Sequence, residues 1–448
     1  MKKLAAFFHN KECLNRILFT LAVFLVFRIG SAITIPGVTV NEDIWSDSTS
    51  TYSLLNMMGG GALQNFSIFA LGVSPYITSS IIIQLLSMDV LPSLTQMTKE
   101  GQSGRRKLNT VTRILSVVLA AVQAYGIIVS LENSDGLTLD DSSAWGYTKV
   151  IIFLIAGSMI LEWLGDQITD KGIGNGVSML IFAGIVSQLP TQIGEAFQEY
   201  FATKLDTGDA TLILEGSLQI ALYLLSFVLI IVFVTFIEKS VRKLPISHSN
   251  TSQTQDENSV QSSFLPIKVN ASSVMPVIFA SSIMVAPSII ISLFTGSSQP
   301  GWVSVVEDVF NYQKMTPMGS SGTWSFPWGT IIYAILIISF SYFYAQLQIN
   351  PERIAENFQQ SGTYITGIKP GEETERYVSK VLNRITFMGS LALCLIALIP
   401  IILSMSGATP DSLALGGTGM IIIVGVALET YNMISGILAG HGYAESEI

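Results

Sequence analysis

Residues 52–86, YSLLNMMGGGALQNFSIFALGVSPYITSSIIIQLL, decide how this chain is read. The stretch is as apolar as a membrane span, but it is not built like a helix that merely faces lipid. Gly59-Gly60-Gly61 interrupts its front, and Gly72 and Pro75 interrupt its middle. A proline inside a helix removes a backbone hydrogen bond and bends the helix. Thr78, Ser79, Ser80 and Gln84 follow. Broken, polar-dotted backbone at membrane depth is tolerated only where protein covers it or where it borders a wet cavity. The stretch therefore reads as the wall of a pore.

The rest of the chain supports a membrane setting. Of 448 residues, 49% are hydrophobic and 12% charged, against about 25% charged in soluble domains. The N-terminal MKKLAAFFHNKECLNR runs straight into an apolar stretch, with no small-residue cleavage site to mark a signal peptide. Cys13 stands before the first span and Cys394 within a late one; neither placement suggests a disulfide or a metal site. His9, His248 and His441 are scattered outside the spans. The Gly-rich phosphate loop ending in Lys-Ser or Lys-Thr is absent, so neither nucleotide hydrolysis nor a cofactor or metal is expected. A net charge of −9 argues against binding nucleic acid in bulk.

A span takes about 20 apolar residues. Ten stretches qualify: 17–36, 66–88, 111–131, 148–165, 176–193, 216–237, 272–294, 328–349, 385–405 and 414–438. With the N-terminus in the cytosol, 19 of the 23 Lys and Arg fall in cytosolic segments. Only Lys149, Lys204 and Lys314 lie outside, and Arg28 lies within a span. This is the positive-inside pattern, and it returns the C-terminus to the cytosol.

The interrupted spans are the second, the fifth (entered through Gly172, Gly174 and Gly176), the seventh (Pro276, Pro287) and the tenth (Gly416, Gly417, Gly419). They pair at an interval of five, and an odd number of spans per half inserts the halves in opposite orientation. Such segments point to a functional site at the interface of two inverted halves. The expected conduit lies between 17–193 and 216–438. Ionisable residues within spans are few: Arg28, Glu162, Glu238 and Glu429. Glu162 and Glu238 are expected to snorkel to the cytosolic interface, and Arg28 reads either as a tether to backbone carbonyls or as part of the conduit. The interrupted spans mainly offer aliphatic side chains: Val73, Ile77, Ile181, Ile278 and Ile422. An apolar constriction seals by dewetting and holds no small polar solute.

At these residues the chain resembles the SecY family of protein-translocation channels. The resemblance runs almost end to end, through FRIGSAITIPG (27–37), GGALQNFSIFALGVSPYITSSIIIQLL (60–86), EGQSGRRKLN (100–109), WLGDQITDKGIGNGVSMLIFAGIV (163–186), LPIKVNASSVMPVIFASSI (265–283), GTYITGIKPGEETERYVSKVLNRIT (362–386) and GGTGMIIIVGVALET (416–430). It implies an all-α integral membrane protein of ten helices, in two inverted halves of five around an hourglass pore. The halves would be 1–193 and 212–448, with an external hinge at 194–211 and cytosolic loops at 239–271 and 350–384.

The resemblance also assigns residues. Val73, Ile77, Ile181, Ile278 and Ile422 match the family's pore ring. Residues 52–65, with Leu54, Met57, Met58, Gly59, Gly60 and Gly61, match the plug that closes the external funnel at rest. Thr78, Gln123 and Ser282 match contacts across the lateral gate, which admits signal sequences and apolar segments to lipid. Arg105, Arg106, Lys369 and Arg376 match cytosolic docking positions. The implied partners are SecE-like and SecG-like small membrane subunits, a SecA-type ATPase motor, the ribosome and unfolded preproteins.

Three features depart from the family's pattern. Lys369 stands in GIKPG where Arg is usual, and Lys lacks the planar fork of Arg. The loop SHSNTSQTQDENSVQSS (247–263) lacks Lys and Arg. The C-terminal HGYAESEI is likewise not basic. These leave open an accessory paralogue serving dedicated substrates. An inverted-repeat secondary transporter is the alternative of another class. An intramembrane protease is weaker, since no span carries a Ser/His or paired-Asp arrangement.

Overall fold

The structure, a computed structural model, describes residues 11–41, 56–88, 90–133, 136–141, 143–198, 201, 210–248, 264–295, 301–312, 316–318, 324–405 and 411–446. Ten helices organise it: α1 (Lys11–Ala32), α2 (Ser74–Leu86), α3 (Gln102–Asn133), α4 (Ala144–Lys171), α5 (Gly176–Phe197), α6 (Ala210–Lys239), α7 (Met275–Thr295), α8 (Trp328–Gln348), α9 (Glu372–Met405) and α10 (Asp411–Ser446). Eight are long and apolar enough to cross a bilayer, and α2 and α7 are shorter apolar helices. The short pair holds the second and seventh places, which a repeat of five makes equivalent.

The packing repeats at the same interval. In the first half α2 lies on α3, α3 on α4, and α4 on α5, while α1 packs against α4 and α5. In the second half α7 lies on α8, α8 on α9, and α9 on α10, while α6 packs against α9 and α10. Adding five to every helix number turns the first set into the second. The halves meet where α7 lies against α2 and α3, and where α10 lies against α5 and α1.

Local structure corrects the expected breaks. The second span is helical only from Ser74; residues 59–73 form consecutive turns, with one bridge at Ser67. Pro75 does not kink α2 but sits in its first turn, where the missing N–H would have had no partner within the helix. Gly72, at φ +57°, gives the left-handed turn into α2. α7 opens the same way, on Met275-Pro276. By contrast, α5 runs 22 residues through Pro190, and α10 runs 36 residues through its three glycines. A glycine costs a helix about 1 kcal/mol, which close packing offsets. At Gly419 a Cβ would come within 2.8 Å of Ile185 and 3.3 Å of Met57.

Glu162 and Glu238 do not snorkel. Glu162 is only 3% exposed. It meets Arg113 Nε at 3.3 Å and accepts from the Ser116 hydroxyl at 3.3 Å, and Arg113 also pairs with Asp166, tying α3 to α4. Glu238 accepts from Asn270 Nδ2 at 2.7 Å. Partners of this kind make a buried carboxylate tolerable.

Short sheets trim both ends of the bundle. β1 (Val38–Val40) pairs with β2 (Leu137–Leu139) beyond α1 and α3. β3 (Val241–His248) is the centre of a three-stranded antiparallel sheet, with β4 (Phe264–Lys268) on one side. A hairpin of β5 (Thr316–Met318) and β6 (Trp324–Phe326) precedes α8. β7 (Thr363–Ile365) pairs with the far end of β3, so the loops after α6 and after α8 are joined.

Candidate functional site

The five aliphatic residues singled out in the sequence come from four helices, two in each half. Val73 caps α2 and Ile77 lies one turn on. Ile181 is on α5, Ile278 on α7 and Ile422 on α10. All are buried, none more than 6% exposed, and all belong to one apolar cluster. Side chains up to 349 positions apart in sequence (from Val73 to Ile422) thus share one buried apolar cluster where the halves meet, the place expected for a constriction.

The constriction separates two different spaces. On the face carrying the basic loops lies a cavity of about 280 Å³, bordered by Ile77, Ile181 and Ile278 together with Tyr76, Gln84 and Tyr344. On the opposite face Met58 and Gly59 pack over Gly72, Val73 and Ser282, leaving a void of about 10 Å³. Such a void is the size of one water molecule. The arrangement is an hourglass, open on one side and stoppered on the other.

The stopper is a compact turn. Asn56–Met58 form one helical turn, and Gly60 and Gly61 then take φ of +68° and +84°, values that glycine adopts without steric cost. The Asn56 carbonyl accepts from Gly61 N at 2.9 Å, and Asn56 Oδ1 accepts from Gln64 N at 2.8 Å, which closes the loop on itself. Met57 and Met58 are buried. Ile35 N donates to Phe66 O at 3.2 Å and Ile68 N to Ile33 O at 3.1 Å, which fastens the turn's exit to the segment after α1. Arg28 Nη1 donates to the Gly60 carbonyl at 2.7 Å, the tether form of the two readings held for it. Leu54 and the rest of 52–55 lie outside the described residues.

The three gate candidates lie on α2, α3 and α7, helices that meet between the halves. Thr78 Oγ1 donates to the Ser74 carbonyl and Ser282 Oγ to the Ile278 carbonyl, each within its own helix. Gln123 is buried on α3. A hydrogen bond that does cross between the halves is one the sequence reading missed. Tyr344 Oη on α8 donates to Gln84 Oε1 on α2 at 2.6 Å, and Gln84 Nε2 donates on to Ser80 Oγ at 2.9 Å. Tyr344 also rests against Phe279 of α7, ring centroids 4.9 Å apart. The pair lies 260 residues apart, and no local pattern links them; the polar Gln84 in an apolar span was the only sign.

Of the docking candidates, Arg105 and Arg106 are exposed in the first turns of α3, and Lys369 is exposed just before α9. Arg376 is exposed on α9 and pairs with Glu372 at 2.6 Å. Loop 249–263 lies outside the described residues. Among the described residues no three His, Cys, Asp or Glu gather closely enough to hold a metal. Chemically, the site offers a buried apolar cluster, a polar-edged cavity and a compact turn packed over Gly72 and Val73.

Comparison with known proteins agrees with this geometry. Residues 67–431 match the SecY family model. The chain is 41% identical over 440 residues to protein translocase subunit SecY 1 of Lactobacillus kefiranofaciens, covering 97% of each chain. It is 40% identical over 446 residues to protein translocase subunit SecY of Lactococcus lactis, covering 99% of this chain and 97% of that one. In fold it is similar to a protein-conducting channel of known structure, at a TM-score of 0.62 with 19% identity, covering 94% of this chain and 91% of that one. It is also similar to Sec61 from a canine ribosome–channel complex, at 0.58 with 18% identity over the same shares.

Proposed function

Since this chain belongs to the SecY family, we propose that it forms the protein-conducting channel of a translocase. Unfolded preproteins pass through the ring of Val73, Ile77, Ile181, Ile278 and Ile422, and apolar segments leave sideways between α2–α3 and α7–α8. The observation that carries this reading is the constriction itself: aliphatic side chains from both halves, between an open cavity and a turn packed over them. A ring of this kind yields to the width of a chain and selects no particular solute.

The remaining assignments follow from the same reading. The halves are 1–193 and 212–448, joined through 194–211. Residues 52–65 are the plug. The termini and the basic loops face the cytosol of a bacterium, and the chain lies in its plasma membrane. Energy comes from outside the chain, from a SecA-type ATPase or a translating ribosome docked on Arg105, Arg106, Lys369 and Arg376. SecE-like and SecG-like subunits complete the assembly. Two channels of similar fold, Sec61 and the yeast Ssh1 complex, were solved with a ribosome, which favours the ribosome as one such partner.

The test is crosslinking of a stalled preprotein. Single cysteines replace Val73, Ile181, Ile278 and Ile422 in turn, with Cys13 and Cys394 substituted, in membranes energised by a SecA-type motor. Crosslinks from all four to a mid-chain preprotein position are expected. Their absence, together with uptake of a small solute, would replace the channel by a transporter.

A further inference from the structure

The stopper's hold on the pore rests on contacts that the ring does not explain. Gly184 of α5 lies under it. A Cβ at Gly184 would stand 3.1 Å from Gly60 N and would run into the Met58 carbonyl. Seen from the other side, a Cβ at Gly60 would meet Gly184 Cα at 3.1 Å, Ser187 Oγ at 3.1 Å and Phe27 at 3.4 Å. A Cβ at Gly61 would overlap Gln188 Nε2. Two backbones touch here because neither carries a side chain. One residue beyond Phe27, the Arg28 guanidinium holds the Gly60 carbonyl at 2.7 Å, a charge-assisted bond and so stronger than a neutral one.

These contacts are one-sided. α1 supplies Phe27 and Arg28, and α5 supplies Gly184, Ser187 and Gln188; both helices belong to the first half. From the second half, Gly419 of α10 lies at Met57 and Ser282 of α7 borders the small void beside Met58.

We propose that Gly184 and Arg28 form a seat in the first half that sets how tightly the Met57–Gly61 turn closes the resting pore, and with it how strong a signal sequence must be to open it. Separation of the halves strips the turn of its α10 and α7 contacts. The seat is what remains to be overcome. This deepens the channel reading and rests on it.

The experiment uses membrane vesicles carrying the full chain with its partner subunits and a SecA-type motor. The variants are Gly184→Ala, Arg28→Gln and Arg28→Lys. One readout is release of a trapped small dye from resting vesicles. The other is transport of a preprotein with a shortened apolar signal core, relative to the same preprotein with an intact signal. Arg28→Gln is expected to raise both the leak and the transport ratio about fivefold, the effect of losing one hydrogen bond's net contribution. Gly184→Ala is expected to raise both in the same direction, because its Cβ runs into the Met58 carbonyl and displaces the turn. Arg28→Lys, which keeps a cationic donor, is expected to stay nearer the unsubstituted chain.

A merely misfolded channel loses transport of both preproteins and does not gain on the weak one. Leak and ratio both unchanged, or both transports falling together, overturn the seat. The Arg28 pair carries the same test if Gly184→Ala does not accumulate. Failure of the unsubstituted chain to transport the intact preprotein overturns the channel reading itself.

Discussion

At the scale of single residues, the division between legible and hidden features follows sequence distance. The buried cluster shared by Val73, Ile77, Ile181, Ile278 and Ile422 follows segments marked by glycine or proline, in or beside which each stands. Thr78 and Ser282 show the local alternative open to any hydroxyl inside a helix, which can turn back to a carbonyl one turn earlier, and both do. The Arg28–Gly60 and Gln84–Tyr344 bonds were hidden because their partners are 32 and 260 residues apart. The second bond permits a quantitative test. Tyr344→Phe keeps the ring against Phe279 and removes the hydroxyl; it should cost about 1 kcal/mol of stability in detergent. Gln84→Leu should cost a similar amount and the double variant little more, the non-additivity of residues in contact. Additive thermal shifts would show that the bond carries no coupling. On α4, Glu162→Gln leaves Ser116 an acceptor and Arg113 its Asp166, and Arg113 is half-exposed. Its cost should therefore stay within about 1 kcal/mol. Glu162→Leu strands the buried Ser116 hydroxyl and should cost about 1–3 kcal/mol more, read from the same melting curves.

At the scale of elements, the existence of the ten apolar helices was legible, whereas their limits and the short helices Pro92–Lys99, Gly301–Phe310 and Pro351–Ser361 were not. Hydropathy marks where a chain meets lipid, whereas α3 and α9 begin well before their apolar stretches, in polar sequence that runs on as helix. The misreading of Pro75 as a kink has the same origin. A proline in a first turn and one in a helix interior look alike until the start of the helix is known, and Gly72 fixes that start. The sheet of β4, β3 and β7 was not anticipated, because β3 and β7 lie on loops separated by α7, α8 and two shorter helices. It makes the two loops one structural unit with Ile365 buried at the junction. Ile365→Asp should release that junction and lower motor-driven transport severalfold while the helices still form, checked by circular dichroism beside the transport assay. Grafting Lys and Arg into 247–263 should change motor affinity less than about twofold, if docking relies on Arg105, Arg106, Lys369 and Arg376. A large gain in affinity would return the role to the loop tip.

At the scale of the molecule, the repeat of five was legible from glycine and proline alone, and the packing of the helices repeats at the same interval. What sequence could not supply was which helices face each other across the two halves: α7 against α2 and α3, and α10 against α5 and α1. Those contacts divide the interface into one side with a crossing Tyr344–Gln84 bond and one side joined partly through sulfur, where Thr430 donates to Met179 Sδ and Gly174 N to Met433 Sδ. If the first side is the one that parts, cysteines at 84 and 344 joined by a short bismaleimide should block release of a membrane segment into lipid. Cysteines at 179 and 430 joined in the same way should not. Equal block by both crosslinks would mean that the halves move about no fixed hinge.

The depth of the ring has an electrostatic consequence. Val73 and Ile77 are four residues apart along α2, about 6 Å at a helix's rise of 1.5 Å per residue. An extended polypeptide advances about 3.3 Å per residue, so about two of its residues occupy the narrow zone at once, against about nine across 30 Å of hydrocarbon. A lysine or aspartate in transit would leave water for only one or two steps and would regain it before its neighbours but one had entered. If those five positions form the ring, the dielectric barrier to a charged cargo is cut to a thin septum, and their aliphatic side chains favour no charge of either sign.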